Sequence, residues 1–417
     1  MIERWIGRAL LLSTMVLTSC GEKSGDGGEA TGGTMNPPQG GTGATAGAGM
    51  GGSVAGSGGS LSGAGGASGG LSGSGGVAGG GAGGDAGGGA GGMAGQAGSG
   101  GMAGMGGMDN LPPALLSATG LFTSRTNGDL VLAQGVREFQ PRYWLWSDGA
   151  DKKRYVYLPP GTKIDTTDPD HWVFPVGTKL WKSFISGTQL VETRLIEVMG
   201  AGNTVRYATY AWMTADATDA DRMNYRDLWL NAAMTTHDIP NGLMCENCHN
   251  ALKEHVLGFS ALQLNHDLGG VTLQTLLDES LLTVPIATTI GMPGADQATK
   301  DALGYLHANC GNCHNDSPGV AMTAIPAPQM YLRALVDHQM LEDTGVFQTA
   351  INQRITGSNE LGLEYRIKGG DDMVSAVHVR MNLRMVEDQM PPIGTEVKDM
   401  TGLMAIDSWI RSLPPPP

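Results

Sequence analysis

The sequence predicts an α+β protein: a disordered Gly-rich tether, an antiparallel β-rich domain, then a mostly α-helical region. Three observations carry this reading. Glycine is concentrated, with 41 of the 67 glycines of this 417-residue chain lying between Gly21 and Asn110. Short runs of β-branched and aromatic residues, separated by turn residues, fill 111–240. From 241 onward apolar residues recur at helical spacing around two Cys-x-x-Cys-His motifs. The segments are therefore 1–20, an export signal; 21–110, the tether; 111–240, the β-rich domain; and 241–297 and 298–417, two helical modules.

Setting the tether aside leaves 307 residues with 25 glycines, an ordinary globular proportion. The formal charge is −14, from 26 basic and 40 acidic residues, and 111–417 keeps 23 against 34, or −11. Such a chain repels phosphate backbones, which excludes nucleic acid as a partner. No apolar run reaches the roughly 18–20 residues needed to span a bilayer.

Arg4 and Arg8 supply a positive start, Ala9 to Leu17 a short apolar stretch, and Leu17-Thr18-Ser19-Cys20 small residues before a cysteine. This ending resembles a bacterial lipoprotein signal, in which the cysteine carries lipid and becomes the new N-terminus. The alternative is an ordinary secretory peptide that happens to end in Cys. Lipid at Cys20 implies anchorage to a membrane surface without crossing it. Gly21 stands where an inner-membrane retention signal often places Asp, which favours the outer membrane, facing the periplasm or the cell surface. The Gly/Ala/Ser-rich tether has too little apolar side chain to balance the entropy of ordering. As a coil it spans about 50 Å on average and on the order of 300 Å when stretched. Met93, Met102, Met105 and Met108 read as tolerated residues of a loose repeat rather than a soft-metal site.

In the β-rich domain, Arg154 to Leu158 leads into Pro159-Pro160-Gly161. Trp172-Val173-Phe174 and Thr178 to Trp181 flank Pro175-Val176-Gly177, and Gln189 to Val198 and Val205 to Met213 form further strands. Trp144, Trp146, Trp172 and Trp181 read as core residues in preference to a binding face. Helices are expected over Val271 to Leu282, Ala298 to Ala308 and Val397 to Leu413.

The chemistry lies in Cys245-Glu246-Asn247-Cys248-His249 and Cys310-Gly311-Asn312-Cys313-His314. With Cys20 given to lipid, these hold the remaining four of five cysteines. The pattern is the attachment signature of c-type haem. Two thiols three positions apart on a helical turn reach the two vinyl groups, and the next imidazole sits under the iron as its proximal ligand. Structural zinc, plain disulfides and a thioredoxin-like centre compete for the same cysteines. His is 9 of 417 residues, so its arrival directly after both pairs is a chance event of about one in two thousand. Two covalent c-type haems, with Cys245, Cys248, Cys310 and Cys313 as attachment points and His249 and His314 as iron ligands, are expected.

Met390-Pro391-Pro392-Ile393-Gly394, ahead of the last amphipathic helix, resembles the distal loop of class I cytochromes c. That resemblance implies Met390 as distal ligand of the second haem and Tyr305 as the aromatic residue packed across the last helix, with Trp409 or Ile410 as its partner. For the first haem, Met292 is the first candidate by the same order of elements and His266 the alternative. His255 and His307 stand behind them, and an open site is also possible.

Further segments carry a wider resemblance, to a family of dihaem c-type cytochromes of the bacterial envelope. They are Tyr143 to Ala150, Phe174 to Thr178, Ile239-Pro240-Asn241, Leu257-Gly258-Phe259, Leu262 to Asn265 and Tyr305-Leu306. The resemblance runs over about Leu111 to Leu413. It implies a β-rich region followed by tandem cytochrome c-like modules, haem binding and electron transfer.

The leading functional expectation is a membrane-anchored, non-catalytic electron carrier that serves an envelope redox partner with a basic docking face. A dihaem peroxidase with an open first haem is an alternative. So is a β domain that binds a surface polymer or partner, with the haems as its relay.

Overall fold

The computed structural model describes residues 111–316, 329–356 and 361–417. Cys20 and the tether lie outside these residues. A hairpin comes first, β1 (Phe122–Thr126) and β2 (Asp129–Leu132), joined by Asn127-Gly128 with φ of 52° and 88°. Both turn residues are left-handed, as a tight two-residue hairpin requires.

Six strands then form one antiparallel sheet in strict chain order. They are β3 (Val136–Phe139), β4 (Asp151–Tyr157), β5 (Lys179–Ser186), β6 (Gln189–Gly200), β7 (Thr204–Ala211) and β8 (Asp221–Arg222). Short turns at 187–188 and 201–203 join β5 to β6 and β6 to β7, and longer loops make the other connections between consecutive strands. Trp172 to Phe174 is not a strand: Val173 makes only an isolated bridge to Asp165. The Asn203 side chain occupies that stretch instead, accepting from Phe174 N at 2.8 Å and donating to Trp172 O at 2.8 Å.

Alternation gives the sheet two faces. Tyr155, Trp181 and Leu195 stand opposite one another on one face and pack with Leu116, Leu121 and Trp212. Val156, Leu180 and Ile196 stand opposite one another on the other, in a core that includes Val256, Phe259, Leu273 and Leu276. The second face therefore supports the helical half.

That half contains α1 (Gly242–His249), α2 (Ala261–Leu264), α3 (Leu273–Asp278), α4 (Gln297–Asn309), α5 (Gly345–Thr349), α6 (Ala376–Asn382) and α7 (Met400–Ser412). The helix expected over 271–282 is shorter, because a Thr272–Thr275 capping box starts it and Ser280 turns left-handed at φ 55°. The expected helices over 298–308 and 397–413 correspond to α4 and α7. These two share a core of Leu303, Leu306, Leu403, Ile406, Trp409 and Ile410. Trp172 and Trp181 are core residues, whereas Trp144 and Trp146 are half-buried. No described helix is long and apolar enough to cross a membrane. The architecture is α+β, an antiparallel sheet followed by helices.

Candidate functional site

The first motif occupies α1. Asn241 caps this helix by accepting from Met244 N at 3.0 Å. Gly242 lies so close to Tyr225 that a Cβ there would stand 2.2 Å from the ring. Cys245 and Cys248, three residues apart, share one side of the helix. His249 closes it, and its Nδ1 donates to His255 O at 2.8 Å, while His255 Nδ1 reaches back to His249 O at 3.2 Å. The Tyr207 ring lies 5.4 Å from the His249 ring. Burial pushes the His249 imidazole down to about 3, so it is neutral at physiological pH.

The second motif follows α4 as a tight turn, with Cys313 N and His314 N both bonded to Cys310 O, at 3.0 and 2.8 Å. Gly311 is dictated by packing: a Cβ would stand 2.8 Å from His307 O and 2.9 Å from Arg333 Cα. The segment it admits bonds back through Leu332 N to His314 O at 2.8 Å. Burial lowers His314 to about 4, partly opposed by the Met330 backbone carbonyl. Its Nδ1 has no hydrogen bond of ordinary geometry among the described residues. Burial pushes the Cys310 thiol up to about 12.

The motifs, 65 residues apart in sequence from Cys245 to Cys310, meet in space. The Cys313 thiol contacts Cys248, which raises the donor and lowers the acceptor. Asn315 Nδ2 donates to Ala251 O at 3.3 Å. The four cysteines are not joined in disulfides. Among the described residues the one cluster with metal-ligand spacing is Asp372, His378 and Asp407. The sulfurs thus do not gather into a zinc-like cage. Asp372 is itself engaged by Arg411 through two bonds of 2.8 and 2.6 Å, and His378 Nδ1 by Asp407. That cluster ties α6 to α7 as an ion-pair network.

The expected distal ligands have different fates. Met390 is half-buried in the loop between α6 and α7, its N–H donating to Arg380 O at 2.9 Å. Met292 is buried at 6% exposure in the α4–α7 core, beside the second module, and that core includes no residue of α1. His266 has both ring nitrogens committed to backbone: Nε2 donates to Gln140 O at 2.7 Å and Nδ1 accepts from Leu268 N at 3.1 Å. His307 Nδ1 accepts from Ala334 N at 3.2 Å, which leaves the neutral ring's proton on Nε2 and removes the lone pair a metal needs.

Tyr305 packs against the core that contains Trp409 and Ile410, and it meets α7 closely at Gly402, where a Cβ would stand 2.1 Å from the ring. The smallest side chain on that face admits the closest approach. Residues 143–148 strap this interface to the sheet side. Asn309 accepts from Trp146 N at 2.7 Å and donates to Trp144 O at 3.0 Å. Trp146 Nε1 donates to Val397 O at 2.9 Å, and Asp148 accepts from Val397 N at 2.7 Å.

One group is not evident from sequence reasoning: Lys152, Arg154, Lys182, Glu192 and Arg194 on the sheet face toward α1. Arg194 makes bonds of 2.8 and 2.5 Å to Glu192, which is fully buried and also contacts His237 Nε2 at 2.7 Å. Burial raises the Glu192 carboxyl, but Arg194 and His237 outweigh that and hold it below the usual range. The signal available in sequence was charge recurring at alternate positions, Lys152 and Arg154 in β4 and Glu192 and Arg194 in β6, within otherwise strand-like segments.

No family model, curated protein or solved structure matches the chain.

Proposed function

We propose that the protein is a dihaem c-type cytochrome that carries electrons. Cys245, Cys248 and His249 hold one haem, and Cys310, Cys313 and His314 the other. One observation carries the reading: two Cys-x-x-Cys-His motifs, separated in sequence, meet at Cys248 and Cys313 with both histidines half-buried and neutral. A bound haem supplies a one-electron iron couple at each site.

The donor set fits such a group. A neutral imidazole has a lone pair for iron, and the Nδ1–H bond of His249 to His255 O fixes the tautomer that leaves Nε2 as ligand atom. The contact between Cys248 and Cys313 would hold the two cofactors close together within one chain. Met390 would supply a thioether to the second haem, on a loop held by the Trp146 and Asp148 bonds to Val397. A thioether there raises the potential relative to bis-histidine ligation. The helical half then comprises tandem cytochrome c-like modules, lipid at Cys20 anchors the chain in the bacterial envelope, and its acidity suits a redox partner with a basic face.

The test is the full chain produced in a host that attaches c-type haem. Intact mass and absorbance are expected to give two covalent haems, with one iron low-spin and sulfur-ligated. Protein that loses its pigment to acid–acetone, or that carries zinc, would refute the reading. Zinc would restore the structural-metal alternative.

A further inference from the structure

The sheet register sets three cations in line, Arg154 opposite Lys182 on β4 and β5, and Lys182 opposite Arg194 on β5 and β6. Like charges placed directly opposite destabilise a sheet, so this row requires an anion. Lys152, one row along and opposite Phe184, adds a fourth cation. The face supplies one carboxylate, Glu192, already taken by Arg194 and His237.

The remaining cations have aromatic and backbone neighbours but make no salt bridge among the described residues. Arg154 is 4% exposed, its Nη1 is enclosed without a partner, and its guanidinium lies 5.3 Å from the Trp144 ring. Lys182 makes no side-chain hydrogen bond among the described residues, and its nearest aromatic is Phe184 at 4.9 Å. Lys152 donates to Ala150 O at 2.7 Å. Burial pushes Lys182 well below the ordinary lysine value and Lys152 to about 7, the response of cations short of negative charge.

Arg154 and Lys182 line a small cleft, partly open to solvent, together with Leu252, His307, Arg333 and Asn312 of the second motif. Arg333 is already paired with Glu254 at 2.7 Å. Arg194 stands opposite Thr209 of β7, and Tyr207, on the same face of that strand, has its ring 5.4 Å from the His249 ring, which places the row beside the first motif.

We propose that Arg154 and Lys182 seat the two propionate carboxylates of the haem held by Cys245, Cys248 and His249. The inference rests on the dihaem reading. It makes the sheet a wall of the first haem site and not a separate appendage. Two carboxylates facing these two cations balance the row, Arg194 being matched by Glu192, and a guanidinium binds a carboxylate through paired N–H donors. Positive charge held at Arg154 and Lys182 would disfavour ferric iron and raise the potential of that haem.

The experiment uses the full chain with haems attached, comparing the wild type with Arg154→Gln, Lys182→Met and the double variant. Lys153→Gln, on the exposed side of the same strand, is the control. In the double variant one midpoint potential is expected to fall by about tenfold in the redox equilibrium, roughly 59 mV for a one-electron couple, while the other holds. Unchanged potentials in a folded double variant bearing two haems would overturn the proposal. Resonance Raman of the wild type provides a readout independent of any variant: propionate bending bands are expected to shift between H2O and D2O, and a band that does not move also overturns it. A wild-type chain without covalent haem would instead sink the dihaem reading itself.

Discussion

Gly402→Ala tests the interface on which the second site is built. The added Cβ would lie 2.1 Å from Tyr305 Cε2 and 2.4 Å from Cζ, where ordinary contact begins at 3.4 Å. The ring must therefore retreat by more than an ångström, against a core containing Leu403, Ile406 and Trp409. Replacing Gly by Ala within a helix stabilises by about 1 kcal/mol. Overpacking a close contact costs about 1–3 kcal/mol, and an overlap this deep belongs at or above the upper end. The net is a loss of about 2 kcal/mol, or about 4–8 °C in melting temperature at 2–4 °C per kcal/mol. Thermal unfolding followed by far-ultraviolet circular dichroism reads the effect. Adding Tyr305→Leu removes the obstruction, so the double variant is expected to be more stable than the sum of the two single changes. Because α4 leads into the second motif and α7 follows the Met390 loop, Gly402→Ala should also weaken the sulfur–iron absorption band. A melting temperature that stays level or rises would refute the reasoning.

Met390→Ala is expected to abolish that band and lower one of the two midpoint potentials while both haems stay attached; an unchanged near-infrared spectrum would remove Met390 as ligand. Glu192→Gln leaves half-buried Arg194 without its carboxylate and should cost about 3 kcal/mol in urea unfolding, the low end for a broken buried pair because Arg194 keeps some access to water. Since the folded Glu192 carboxyl is held below its usual value, its contribution is present above the unfolded pKa of about 4.3 and is lost as pH falls through the folded value. The variant's stability should accordingly depend less on pH below 5 than the wild type's. Asn309→Ala strands Trp146 N and Trp144 O, and a loss of about 1–3 kcal/mol by denaturant titration is expected.

The strands most legible in the sequence were those bounded by strong turn residues: β4 before Pro159-Pro160-Gly161, and β5 to β7 around Gly187 and Gly202-Asn203. The hairpin of β1 and β2 carried the Asn127-Gly128 signal but lies in polar residues, so its alternation was faint. Trp172 to Phe174 has a strand's composition but lacks a strand neighbour, and a side chain from the 201–203 turn fills that place. Helices α5 and α6, of 5 and 7 residues, are too short for periodicity to mark. In the candidate site the cysteines and their histidines were visible as a motif, because covalent chemistry demands a fixed spacing. His266 and Met292 were not separable by spacing, since backbone bonds and core membership decide their availability. The cationic row was hidden for a related reason: charges at alternate strand positions look like a solvated face until something is packed over it.

The strap through Trp146 and Asp148 joins residues about 250 positions apart. The meander needs only neighbours in sequence and can assemble as soon as its last strand has left the ribosome. One jaw of this clasp is thus ready early, while the other is made about 250 residues later. A polypeptide cut short before Val397 would present a finished sheet with Trp146 Nε1 and Asp148 unclaimed, and proteases would meet a half-closed molecule.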